Sequence, residues 1–180
     1  RASFDQITSQ TDVLIDTAEI YGAGKSENYI GRFTQETGKT PLIASKFFPF
    51  PWRMTSHTLL DALRNSLHRL KTSQVYLYQM HWDLPPLDIP AWAKALVQAT
   101  EQGLASNIGV SNYNSDRMLQ AHQTLSEYGL HLASNQVRFS LLDRRVEFSG
   151  ILDLAQELGV RVIAYSPLEQ GLLTGKYTSD

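Results

Sequence analysis

The chain has 180 residues, 42% of them apolar and 19% charged, with 11 Gly, 7 Pro and no Cys. This excludes a disordered, collagenous or disulfide-stapled chain. Sixteen basic against eighteen acidic residues, a formal net charge of −2, leave no cationic excess for a phosphate backbone, and no apolar run approaches the ~18 residues of a membrane span. Without Cys there is no thiolate chemistry or thiolate metal site, which fits the cytoplasm or another reducing compartment. The opening RASFDQITSQ has no apolar signal-peptide core and no initiator Met, so the chain is expected to begin inside a longer one.

Six short apolar, β-branched runs predict strands: Val13–Asp16, Leu42–Lys46, Val75–Met80, Asn107–Val110, Ala133–Val137 and Arg161–Tyr165. Their centres lie about 27 to 34 residues apart, one strand plus one crossover helix. Continuous apolar runs suit strands buried on both faces. The gaps carry helical periodicity. Tyr29, Ile30 and Phe33 follow a candidate cap at Ser26, and Leu59, Leu60, Leu63, Leu67 and Leu70 follow Ser56. Trp92, Ala95, Leu96 and Ala99 run to Gly103. Met118, Ala121, Leu125 and Tyr128 follow Ser115, and Ile151, Leu154, Ala155 and Leu158 follow Ser149.

Alternating strands and helices predict an α/β fold with a parallel sheet, either open and doubly wound or a (β/α)8 barrel. No G-x-G-x-x-G dinucleotide turn is present, which favours the barrel. Residues 1–180 read as one barrel domain with about six β/α units, lacking the first and last strand units. Such a chain would carry two unpaired edges and is not expected to be an active monomer by itself.

Three familiar motifs fail. Gly24-Lys25-Ser26 lacks the first Gly of a P-loop, since Glu19 stands there. In Gly109–Tyr113, Tyr113 replaces the last Gly of a nucleophile elbow. No His pair has zinc-ligand spacing, and His57, His68, His122 and His131 read as solvated surface residues.

The carboxyl ends of barrel strands carry the chemistry. Asp16 ends the first strand, with Tyr21 five residues on; Lys46 ends the second and His81 follows the third. Each alone has an ordinary structural explanation. Together they would face one another, and Asp16 should pair with Lys46 because a buried charge is costly unless paired. A Lys ammonium would lower the pKa of Tyr21, making it a proton donor to a carbonyl oxygen, with His81 orienting that carbonyl. A strand-end Lys46 could instead form a Schiff base.

LIDTAEIYGAGKSE, ASKF, YQMHW, IGVSNY, SNQVRFSLLDR and YSPLEQGLLTGKY, in that order along nearly the whole chain, resemble the aldo-keto reductase superfamily. The resemblance implies a (β/α)8 barrel and NADPH-dependent reduction of aldehydes or ketones, with Asp16, Tyr21, Lys46 and His81 as the catalytic tetrad. It implies that Ser111, Asn112 and Gln136 hold the nicotinamide carboxamide and that Tyr165 stacks on its ring. Ser166, Pro167, Leu168, Gly171, Leu172 and Lys176 would form the loop over the pyrophosphate. The YSPLEQGLLTGKY form looks more like the bacterial, plant and channel-subunit branches than like aldose reductase. Phe47, Trp52 and Trp82 are candidate substrate-pocket walls, favouring aromatic or aliphatic carbonyls. The family's Gly-bearing first strand and its 2′-phosphate loop have no match here, so NADH is not excluded. The expected partner is a small carbonyl compound, not nucleic acid or a membrane. A nicotinamide-binding regulatory module is the alternative, but a full tetrad with His81 favours catalysis.

Overall fold

The computed structural model describes residues 1–10, 13–53, 55–84 and 88–177. Six parallel strands lie in chain order: β1 (Leu14–Asp16), β2 (Leu42–Phe47), β3 (Val75–Met80), β4 (Ala105–Ser111), β5 (Leu132–Arg138) and β6 (Arg161–Tyr165). All six strands expected from the apolar runs are present. Each crossover contains a helix: α2 (Lys25–Thr37), α3 (Ser56–Leu70), α4 (Ile89–Glu101), α5 (Ser115–Ser126), and the pair α6 (Arg145–Phe148) and α7 (Ile151–Leu158). A short α1 (Ala2–Ile7) precedes the sheet, and a 3-10 segment, η1 (Glu169–Thr174), follows it.

The sheet is strongly curled. Asp16 on β1 and Gln136 on β5 are four strand steps apart, about 19 Å in a flat sheet. Their side chains nevertheless meet at 3.0 Å. The result is an incomplete barrel, concave inside and helix-covered outside. Among the described residues β1 and β6 each pair with one strand only.

The helices bury their leucine stripes against the outer face. Leu59, Leu63 and Leu70 of α3 are fully buried, as is Trp92 of α4, whose ring lies 5.1 Å from that of Phe47. Between α2 and α3 the backbones nearly touch: a Cβ at Gly31 would lie 2.3 Å from the Arg69 carbonyl oxygen. Beside this contact Glu27, fully buried, accepts from Ser45 Oγ and Arg69 Nε, each at 2.6 Å.

The helix starts differ from the expected ones. The caps are Gly24, Thr55, Asn114 and Gly150 rather than Ser26, Ser56, Ser115 and Ser149. Asn114 accepts from the Arg117 amide, and Asp88 from that of Ala91 at the start of α4, so short acceptors one residue earlier bind the free N–H groups. His122 is half-buried rather than solvated, with its ring edge-on to His131 at 5.5 Å.

Candidate active site

Asp16, Tyr21, Lys46 and His81 converge at the carboxyl ends of β1–β3. Lys46, 1% exposed, donates to both oxygens of Asp16 at 2.7 Å and to the Thr17 carbonyl at 2.9 Å; its Nζ is 3.5 Å from Tyr21 Oη. The Tyr21 and His81 rings meet edge-on at 5.8 Å. The His81 amide donates to the Phe47 carbonyl, and its own carbonyl accepts from Asn112 Nδ2, so the residue is pinned from both sides.

The electrostatics depart from expectation. Burial first, then the Asp16 carboxylate and Tyr165, push the Tyr21 phenol up rather than down. Burial is the largest of these, and the Lys46 ammonium, bound to Asp16, does not reverse it. Burial also lowers the Lys46 ammonium, against the opposing pull of Asp16.

Burial first, then Lys46, push His81 down to about 4 from the usual 6.5, so the imidazole is neutral near pH 7. Between those two values the unfolded chain binds a proton that the folded chain refuses. Stability therefore falls as the pH drops through that window. Urea midpoints are expected to show about 2–3 kcal/mol lost from this group between pH 7 and pH 4. His81→Phe should remove that share of the slope, while His122, pushed down by burial and by His131, keeps its own.

Asn112 sits at the centre of the second half of the site. Its backbone is left-handed, φ 62°, a conformation Asn tolerates better than most residues. Its amide nitrogen donates to the His81 carbonyl and Ser111 Oγ, and its Oδ1 accepts from Tyr165 Oη at 2.8 Å. Tyr21, Lys46, His81, Trp82, Ser111, Asn112, Gln136, Tyr165 and Ser166 line one cavity of ≈ 260 Å³. Pro167, Leu168, Gly171, Leu172 and Lys176 lie beyond its lining, on the turn through η1. Gly171 has φ +104 and open space at its Cβ position, with no foreign atom nearer than 4.0 Å.

Of the expected pocket walls, Trp82 borders the cavity. Phe47 does not: it is fully buried on the outer face, against Trp92 and under the Arg53 guanidinium. Consecutive strand residues face opposite ways, so an inward Lys46 turns Phe47 outward. Its neighbour Phe48 instead meets His81 edge-on at 5.6 Å. Trp52 is 72% exposed and stacked on Phe50, outside the cavity lining.

Two buried or half-buried polar groups near the site escaped the sequence reading. Glu19 accepts from the Phe48 amide at 2.8 Å and pairs with Arg53, tying the Tyr21 turn to the aromatic loop after β2. Gln79 lies fully buried inside the curl. Its place in Val75–Met80, in register with Lys46, was the available signal.

A parallel sheet curled around Lys, Asp, Tyr and His side chains at and just beyond its strand ends defines an incomplete β/α barrel with its candidate site at the carboxyl face. The chain belongs to the Aldo/keto reductase family, whose model matches residues 9–180. It is 41% identical to a chloroplastic pyridoxal reductase of Arabidopsis thaliana, over 92% of this chain and 49% of that protein. It is 34% identical to L-glyceraldehyde 3-phosphate reductase of Escherichia coli, over 90% of this chain and 50% of that protein. Among solved structures, an aldo-keto reductase from Klebsiella pneumoniae in complex with NADPH superposes with a TM-score of 0.83 at 28% identity, covering 97% of this chain and 60% of that one. The chain spans about half the length of the curated relatives it matches. No helix among the described residues is long and apolar enough to cross a membrane.

Proposed function

We propose that this chain carries the catalytic face of an NADPH-dependent carbonyl reductase acting on small aldehydes or ketones. The observation that carries the reading is the meeting of Tyr21, Lys46 and His81 at one cavity, with Asp16 bound to the Lys46 ammonium. The residues present suit a nicotinamide nucleotide. Tyr165 offers a ring at the cavity wall, Ser111, Asn112 and Gln136 offer amide-matching polar groups, and the open cradle at Gly171 with exposed Lys176 suits phosphate. When bound, the nicotinamide supplies a hydride.

Tyr21 Oη, protonated at working pH, gives its proton to the carbonyl oxygen as negative charge develops there. The Lys46 ammonium, held by Asp16, stabilises the phenolate left behind. Neutral His81 has a buried Nδ1 with no partner among the described residues, which favours the proton on Nε2, where it orients the carbonyl. Phe48 and Trp82 favour flat apolar carbonyls over sugars. Lys46 is a poor Schiff-base nucleophile, being buried and already donating to Asp16 and Thr17. The absence of Cys fits a reducing compartment, the cytoplasm included.

The test is NADPH oxidation by the full-length protein that carries these residues, followed by absorbance, with 4-nitrobenzaldehyde, pyridoxal and a wider aldehyde and ketone panel. Turnover of aromatic aldehydes is expected. No turnover across the panel would refute the reading.

A further inference from the structure

A line of buried side chains crosses the inside of the curl and ends on the catalytic carboxylate. Ser134 Oγ donates to Gln79 Oε1 at 3.2 Å, Gln79 Nε2 donates to Gln136 Oε1 at 3.1 Å, and Gln136 Nε2 donates to Asp16 Oδ2 at 3.0 Å. Ser134, Gln79 and Gln136 are all 3% exposed or less. We propose that Gln79 is a positioning residue that holds the Gln136 amide in one orientation, nitrogen toward Asp16.

The two ends of an amide are nearly the same size, so only its partners decide which way it faces. The polarity of this line is set from its acidic end. An ionised carboxylate only accepts, so Gln136 must present its nitrogen to Asp16. Its oxygen then faces Gln79, which must present its own nitrogen. The Gln79 oxygen is left for Ser134, whose rotatable hydroxyl can donate. Each step admits one arrangement, and removing Gln79 frees the second half of the Gln136 amide.

The fold makes room for this line. Lys46, Gln79, Gly109 and Ser134 sit at matched register positions on β2 to β5. A Cβ at Gly109 would lie 2.4 Å from Ser134 Oγ and 3.0 Å from Gln79 Cγ. The missing side chain at 109 is the space that Gln79 fills.

The link to cofactor rests on the reading of Gln136 given above; the positioning role does not. The experiment therefore has two readouts on the full chain. In Gln79→Met, close in shape but without the amide, hydrogen exchange at the Gln136 side-chain amide, followed by ¹⁵N NMR, is expected to speed up about tenfold and its resonances to shift. Ser134→Ala, which removes only the anchor of Gln79, should show a smaller change in the same direction. NADPH affinity, read by quenching of tryptophan fluorescence, should weaken about five- to tenfold in Gln79→Met. An unchanged Gln136 amide in Gln79→Met overturns the proposal. A changed amide with unaltered NADPH binding upholds the positioning role and removes Gln136 from the cofactor site; a changed amide with no NADPH binding by the full-length parent upholds the positioning role and overturns the cofactor reading instead.

Discussion

Tyr21→Phe is expected to lower kcat about 10³-fold while leaving NADPH affinity within about twofold. The variant removes one oxygen, that of a phenol which burial keeps protonated across the working range. General acids of this kind contribute typically 10²- to 10⁴-fold. The ring stays, so its edge contact with His81 and the packing of the cavity wall persist. Stopped-flow or steady-state rates with 4-nitrobenzaldehyde give the first quantity and fluorescence quenching the second. A Tyr21→Phe enzyme with more than about a tenth of the parent kcat would assign the proton to another donor.

Lys46→Met is expected to cost more than the loss of a single hydrogen bond. The substitution leaves Asp16 with Gln136 as its remaining side-chain donor among the described residues, and removes the ammonium 3.5 Å from Tyr21 Oη, where the proposed proton transfer would leave negative charge. Preorganised charge at such a position is worth about 10² to 10³ in rate. We expect a fall of at least about 10²-fold in kcat, at every pH between 6 and 9. The Asp16 carboxylate is about a third exposed, so water takes over part of the role of the ammonium in the folded state. The urea midpoint should therefore move less than the rate does. A Lys46→Met protein that keeps its rate while its urea midpoint falls sharply would make the pair structural instead.

The strands were legible because parallel strands covered on both faces write themselves as unbroken apolar runs, and RVIAY or VYLYQM can hardly be anything else. Helix interiors were legible from leucine spacing, but their first residues were not. Any Ser, Thr, Asn or Asp near the boundary can cap, and the choice among Asn114, Ser115 and Asp116 is made by backbone angle. The short α1, α6 and η1 left no periodic trace, being too brief to show one. At the site, the positions of Asp16, Lys46 and His81 followed from where the strands end. Phe47 failed by parity, although Lys46 beside it already implied the opposite face. The direction of the Tyr21 shift was missed because its largest cause is burial, and a sequence shows which charges are near but not how far a phenol is withdrawn from water. Gln79 and Glu19 act through partners 57 and 29 residues away, and no local pattern announces such pairings.

The chain-order sheet also dictates a sequence of events during synthesis. Every strand pairs with the one made just before it, so each β/α unit can dock on its predecessor as it leaves the ribosome, without waiting for distant sequence. The bond between Asp16 and Gln136 reaches furthest beyond this pattern, since it spans 120 residues. β1, translated well before β5, thus holds its carboxylate ready while the wall that will meet it has yet to be made, and the site closes only once that later strand is in place.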